Sequence, residues 1–496
     1  MLETAVASMR FATSMLLGRP FRRRTLDGIV EAMRQTREEF GAIGSDGAEL
    51  VGGPRLDEES RRMMQGRRFR AQARRAATET PYYQELFARL GVDPRRTGED
   101  VTAVPVTTKT ALRADPAAFV RRSARPDLRV TTTGTTAEPT TVWFSSDEVH
   151  TIGALSAMSF LSQGVMGPED LVQISISTRA TLGVAGIARA AEAIGAGLHV
   201  AGLVGPEHTL RLLAERHRLP GRVERVSVLQ TYPSHLGELL ETARRLGYRS
   251  SDFGVRRILV GGEIFTSGLE RRARELFGPV EFVRGYGMTE LLPMTATRCS
   301  DGHLHFEASA GLVEVQSLDD LRPARTGEPG TIVATPFPPY RQTTMLLRYD
   351  TEDVVAPVDG QTTCELRNVP FTGDVLGKRR LSARHDGGWT FVRDVAEAVE
   401  AVGRLPLPAR YGFWAVPGGV AVEVVAPHGG DDTVRREVGS RLEQSGVPVR
   451  QLRLVEDPSE LHHPVPLRCD LREGAFRGPT ASSGAVAGLA AGRAAS

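Results

Sequence analysis

The sequence predicts an α/β protein: a large N-terminal domain of doubly wound sheets with a β-rich subdomain, then a small mobile α+β C-terminal domain. Three patterns point there. Strand-like and helix-periodic runs alternate through the middle of the chain, which implies parallel strands covered by helices on both faces. Residues 311 to 366 break that alternation with short β runs only. Beyond Lys378 a second, shorter strand–helix pattern begins.

In chain order, the N-terminus MLETAVASMRFATSMLLGRPFRRR has Glu3 early, Arg10 inside its apolar stretch, and basic residues after the stretch. That order is wrong for a secretory signal and predicts an amphipathic helix packed on the domain. Residues 26 to 90 keep helical periodicity, including RRMMQGRRFRAQARRAA. The alternation follows: strand LVQISIS, helix GIARAAEAIGAG, strand LHVAGLV, helix HTLRLLAERHR, strand VSVLQTY, helix HLGELLETARRLG and strand RRILVGG. GLVEV, GTIVATPF and TTMLLRYD read as an antiparallel set. NVPFTGDVLGK reads as a connection, placing the domains at 1–372 and 373–478. The second unit has helix RDVAEAVEAV, strands YGFWAVP and VAVEVVAP, helix TVRREVGSRLEQ and strand VRQLRLV. The small-residue tail 479–496 cannot bury a core and is expected to be disordered.

Bulk composition narrows the function. The chain has 496 residues, 41% hydrophobic and 25% charged, with net charge +2. No basic field argues for nucleic acid or an anionic membrane surface. No run of 18 apolar residues suggests a spanning helix. Three scattered cysteines, Cys299, Cys364 and Cys469, do not make a disulfide framework, so a reducing cytoplasm is the default location. Lysine occurs only as Lys109 and Lys378, although arginine is abundant. Arginine replaces lysine on a solvated surface, but not where a compact ammonium meets a phosphate or carboxylate.

Two segments carry chemistry. VTTTGTTAEPTTVWF spans Val130–Phe144; its backbone N–H groups and hydroxyls can wrap phosphate oxygens. No G-K-[ST] follows, so this is not a Walker A loop. RGYGMTELLP spans Arg284–Pro293 after a strand-like EFV. Tyr286 offers a face for a purine, and Glu290 offers a carboxylate for a divalent cation. Upstream, Gly261-Gly262 in LVGGEIF permits close approach at a strand end, where α/β sheets bind ligands.

With PYYQELFARLGVDP, PVTTKTALR, QTYPSHLGELLETARRLG and LLRYDTEDVV, these segments resemble the adenylate-forming (ANL) superfamily, in its phenylacetate–CoA ligase branch. The resemblance covers roughly residues 75 to 400. It implies that Thr132, Thr133, Gly134, Thr135 and Thr136 handle ATP phosphates, with Ala137 in place of the usual glycine. It implies an adenine and Mg²⁺ site at Gly261, Gly262, Glu263, Tyr286, Gly287, Met288, Thr289 and Glu290. The ribose-binding aspartate of a T-G-D triplet falls on Asp353, with Glu352 replacing glycine; the literal triplet Thr372-Gly373-Asp374 is the alternative. Lys378 falls at the family's basic hinge position. The family's C-terminal lysine is missing, and HHPVPLRCDL offers only Arg468 or two histidines there. Lys378 is therefore expected to contact nucleotide or the activated acid, with Lys109 or Arg468 as substitutes, and the catalytic set is Lys378, Glu290, Thr289 and Lys109.

The implied reaction activates a small, aromatic or other, acid with ATP and Mg²⁺, then transfers it to coenzyme A, an amine or a carrier protein, as expected in secondary metabolism. Gln230 to His235 is the expected acid pocket. Two rivals remain: a diazotase that activates nitrite for an aromatic amine, and a nucleotide-binding protein without turnover. A homodimer is compatible with these readings. Finally, Cys299, His303 and His305 form a candidate zinc site whose fourth ligand is not evident, with Glu307 within reach in sequence.

Overall fold

The computed structural model describes residues 2–41, 57–97, 100–132, 139–320, 322–359, 362–364, 366–367, 369–427 and 430–472. The phosphate-loop residues Thr133, Gly134, Thr135 and Thr136, and the tail 479–496, lie outside the described residues.

The predicted alternation builds an eight-stranded sheet. Edge to edge it runs Phe371–Thr372, Leu304–Phe306, Ala296–Arg298, Glu281–Tyr286, Arg257–Val260, Val228–Thr231, Leu171–Ser175 and Gly197–Val200. The five strands from Glu281–Tyr286 to Gly197–Val200 are parallel; the remaining three pair antiparallel. Side chains of the parallel strands feed two cores. Val228 and Leu259 pack with helices Ser146–Ser162 and Thr181–Ile194. Leu229, Ile258 and Val260 pack on the other face with helices Pro206–Ala214, Pro233–Leu246 and Ser267–Phe277. Period-2 alternation along each strand sends neighbours to opposite cores, which is the doubly wound arrangement.

Local signals set the helix ends. Helix Ser146–Ser162 starts on a capping box between Ser145 and Glu148. Helix Pro81–Leu90 begins with proline in its first turn and ends on Gly91 at φ 62°, a left-handed conformation that favours glycine. The N-terminal helix Leu2–Leu17 packs on the domain as expected: Phe11 stacks on Phe21 at 4.9 Å, and Arg68 donates to the Met15 carbonyl at 2.7 Å. Among the described residues no helix is long and apolar enough to cross a membrane.

The β-rich region forms a four-stranded antiparallel sheet in the order Gly311–Ser317, Gly330–Pro336, Tyr349–Val355, Gly377–Lys378. Its third strand starts later than TTMLLRYD suggested. Arg348 takes φ 47°, and Met345 N–H bonds the Phe119 carbonyl instead of a sheet neighbour. The segment read as a connection also supplies strands to both sheets, at Phe371–Thr372 and Gly377–Lys378.

Residues 383 to 454 enclose a separate apolar core. Strands Tyr411–Val416, Gly419–Val425 and Val449–Val455 form its sheet, with helices Val392–Glu400 and Asp432–Gln444. This unit meets the large one closely. A Cβ added at Gly268 would lie 2.3 Å from the Glu400 carbonyl oxygen, so only glycine permits that approach. The Glu400 carboxyl is buried, accepts from the Thr266 hydroxyl and the Ala409 N–H, and is pushed up by burial to about 7. A raised carboxyl stabilises the fold in acid, and that contribution disappears as pH rises through about 7. Urea unfolding across about pH 5 to 8 should therefore show stability falling by up to on the order of 3 kcal/mol. Glu400→Gln should flatten that slope; an unchanged slope would refute the assignment.

Candidate nucleotide and acid-activation site

The two lysines of the chain converge on one strand. Lys378 pairs with Asp353, Nζ to Oδ1 at 2.7 Å, and Lys109 donates to the Thr351 carbonyl at 3.0 Å. Lys109 also lies 3.6 Å from a Glu352 carboxylate oxygen. The pairing of Gly377–Lys378 with strand Tyr349–Val355 fixes Lys378, and the N-terminus of helix Lys109–Ala114 fixes Lys109. Tyr286, at the end of its parallel strand, donates its hydroxyl to Asp353 Oδ2 at 2.9 Å. Asp353 is thus held from both sides. Burial raises its carboxyl, but Lys378 and Lys109 outweigh burial and keep it below the usual range. Burial and the neighbouring Lys378 charge push Lys109 down, opposed by Glu290 and Asp353.

Glu352 takes φ 60°. Its position in the strand asks for the left-handed conformation, which explains why glycine suits it. Glu352→Gly should relieve about 1 kcal/mol of backbone strain and raise the melting temperature. A fall in melting temperature would instead show that its contacts with Lys109 and Arg380 outweigh the strain.

Gly287, Met288 and Thr289 form the turn that carries the chain from Tyr286 into the buried Glu290. Glu290 Oε1 accepts the Tyr349 hydroxyl at 3.0 Å. Its Oε2 is buried without a hydrogen-bond partner among the described residues, an expensive state that a divalent cation would relieve. A carboxylate oxygen is a suitable ligand for Mg²⁺. Sequence patterns gave no sign of Tyr349 as its partner, because register alone places that hydroxyl.

At the GGE turn, Gly262 stands at φ 84°. The Glu263 carboxylate accepts the backbone N–H groups of Ser234 at 2.9 Å and Arg468 at 2.5 Å. Arg468 Nε donates to the Gly262 carbonyl at 2.7 Å, and its guanidinium lies over the Tyr232 ring at 5.4 Å. The C-terminal segment thus reaches the strand end where ligand binding was expected, and it brings a cation with it. Within the expected acid pocket, Gln230 Oε1 is buried without a partner among the described residues. His235 instead faces the protein, bonded to Thr209 and Glu238.

The alternative ribose residue Asp374 is occupied elsewhere. It pairs with Arg298 at 2.7 Å and Arg393 at 3.1 Å. Thr132 closes the neck of the hydroxyl-rich loop: its N–H bonds the Thr140 carbonyl and its hydroxyl accepts the Thr140 N–H, each at 2.9 Å. Strands Leu128–Thr131 and Thr141–Phe144, on either side of that segment in the chain, pair antiparallel. Cys299, His303 and His305 lie together, their ligand atoms within 4.8 Å of one another. Glu307 does not join them; its carboxylate accepts the Ser309 N–H at 3.0 Å.

Comparison with known proteins shows what the chain is similar to. The AMP-binding enzyme family matches residues 130–335. A phenylacetate-coenzyme A ligase of Thermus thermophilus is 26% identical over 330 residues, 65% of this chain and 71% of that protein. A 2-hydroxyisobutyryl-CoA ligase in the postadenylation state, in complex with R3-HIB-AMP, superposes with TM-score 0.67 at 18% identity, covering 82% of this chain and 88% of that one. An open conformation of the same ligase with 2-HIB-AMP and CoA gives TM-score 0.59 at 18% identity, covering 82% and 90%. These two structures share the fold. Together these matches support an adenylate-forming ligase that is similar to the ANL superfamily in its phenylacetate–CoA ligase-like branch.

Proposed function

We propose that this ligase uses ATP to adenylate a small carboxylic acid and then passes the acyl group to coenzyme A. The observation that carries the reading is the convergence of both lysines, Tyr286 and Asp353 on one strand. In the first half-reaction an acid oxygen bonds to the α-phosphorus of ATP, and the bond from that phosphorus to pyrophosphate breaks. In the second, the thiol sulfur attacks the acyl carbon and AMP leaves. Asp353 accepts ribose hydroxyls while Lys378 and Tyr286 hold its carboxylate in place. Lys109 sets positive potential behind it. Mg²⁺, when bound at Glu290, screens triphosphate charge. Thr132 starts the loop assigned to the phosphates, and Gln230 supplies a buried polar edge for the acid.

A fixed pair of neutral and cationic donors acts here by positioning and electrostatics. The supporting likeness is to ligases that carry acyl groups to CoA in their own names. The deciding measurement is AMP and pyrophosphate release with aryl acids, short acids, amino acids and nitrite, with and without CoA or an aromatic amine. Release with a carboxylic acid, and thioester formation on adding CoA, is the expected result. Release with nitrite alone, followed by coupling to the amine, would establish a diazotase instead. No release with any acid would leave nucleotide binding without turnover.

Asp353→Ala should weaken ATP binding by about 1 to 3 kcal/mol, since two ribose hydroxyls lose a charged acceptor. Asp374→Ala should instead lower the melting temperature, because it frees Arg298 and Arg393. A calorimetric loss of ATP affinity confined to Asp374→Ala would reverse the assignment.

A further inference from the structure

We infer that the outer face of the N-terminal helix Leu2–Leu17 is a docking surface for an anionic lipid bilayer, with the helix lying flat in the headgroup layer. The helix is apolar on two sides. Ala7, Phe11 and Met15 face inward. A Cβ added at Gly28 would lie 3.8 Å from the Ala7 Cβ, Phe11 stacks on Phe21, and the Met15 sulfur accepts the Tyr340 hydroxyl at 2.8 Å. Outward, Val6, Met9, Leu16 and Leu17 are 37%, 70%, 82% and 58% exposed. At about 100° per residue these four fall within an arc of about 100°, opposite the inner three. Ala12 and Thr13, also exposed, lie in or beside that arc and add no charge to it.

A helix that is apolar on both sides is ordinarily covered on both, and a contiguous exposed apolar stripe marks an interaction surface. Charge identifies what covers it. Residues 1–24 hold five arginines, Arg10, Arg19, Arg22, Arg23 and Arg24, against one acid, Glu3. Gly18, at φ 60°, turns the chain so that four of the arginines follow directly on the leucine end of the stripe. Arg23 pairs with Asp147 at 2.7 Å. Arg10, Arg19, Arg22 and Arg24 are exposed and pair with no carboxylate among the described residues. Their apolar stems can follow the stripe while the guanidinium groups meet phosphate. The whole chain carries a net charge of only +2, so the attraction is local to this patch.

A second copy of the chain fits this face less well than lipid. The stripe offers on the order of a few hundred Å², whereas a stable interface takes about 800 Å² from each partner. Two such helices packed together would also crowd arginines of like sign. Nor does the helix cross a bilayer. Its 16 residues span about 24 Å, short of the roughly 30 Å hydrocarbon core. Its inner face is already taken by the domain. The arrangement that satisfies all of this has Met9, Leu16 and Leu17 in the boundary between headgroups and acyl chains, with the arginines at the phosphates.

The test is co-sedimentation of the full chain with lipid vesicles. Phosphatidylcholine vesicles containing about 30% phosphatidylglycerol should pellet the protein, and pure phosphatidylcholine should bind it at least about 10-fold more weakly. Raising salt to about 0.5 M should release it, since screening removes the arginine contribution. Leu16→Gln with Leu17→Gln should cut binding at least about 10-fold while melting temperature and AMP formation stay as in wild type, because both side chains already stand in water. Should that pair lower the melt, Arg22→Gln with Arg24→Gln decides: it should bring phosphatidylglycerol vesicles down toward the phosphatidylcholine level. No pelleting of the wild type with phosphatidylglycerol, or equal pelleting with both lipids, would overturn the proposal. Undiminished binding by the leucine pair would do the same. A wild-type dimer that the leucine pair makes monomeric, without vesicle binding, would assign the face to a second copy instead.

Discussion

Glu290→Gln is expected to leave the fold intact and slow AMP formation by about 100-fold. The side chain is 1% exposed, and glutamine has the same shape. Its remaining amide oxygen can still accept the Tyr349 hydroxyl that Glu290 Oε1 holds at 3.0 Å. What disappears is the negative charge and the second oxygen Oε2, unpartnered among the described residues. If that oxygen serves Mg²⁺, the loss should be largest at limiting Mg²⁺ and shrink as the metal is raised. Circular dichroism melting should stay within a few degrees of wild type. Near wild-type AMP formation at limiting Mg²⁺ would remove Glu290 from the metal site. A collapsed melt would assign it to holding the core through Tyr349.

Lys378→Ala is expected to slow AMP formation on the order of 100-fold, because breaking a partly buried ion pair costs about 3 kcal/mol. The pair with Asp353 is 2.7 Å long, with the two side chains 26% and 12% exposed. Without the ammonium, Asp353 keeps Tyr286 and the more distant Lys109 charge, and its orientation toward ribose loosens. Lys378→Arg keeps the charge but not the compact contact, and should restore only part of the rate. Arg468→Ala should cost less, about 10-fold, since its Nε ends on the exposed Gly262 carbonyl. Rapid-quench measurement of AMP formation separates these outcomes. Equal, small losses from Lys378→Ala and Arg468→Ala would move the cationic role to Lys109.

The Arg468 contact bears on the missing C-terminal lysine. Nothing in HHPVPLRCDL specifies where it docks. The docking depends on Glu263 accepting the Arg468 N–H and on the Ser234 hydroxyl accepting the Cys469 N–H at 3.0 Å. Both acceptors sit at the ends of parallel strands and the start of the following helix, far from residue 468 in sequence.

Most elements and their layering are legible in the chain alone. Alternating apolar runs, proline and glycine at helix ends, and side-chain caps act over a few residues, so they are legible without a fold. The Tyr286–Glu290 and GGE segments were legible for a related reason: each compresses its chemistry into a short stretch of chain. Which distant groups meet is set by the folded arrangement. It set Asp353 beside Lys378 by pairing Gly377–Lys378 with strand Tyr349–Val355, and gave Asp374 to two arginines. It placed Tyr349 on Glu290 and turned His235 into the protein. It brought Cys364 to His305 and left Glu307 outside the cluster. Local propensity extends over a turn or two of chain, whereas these contacts depend on strand register and loop docking between segments tens to hundreds of residues apart.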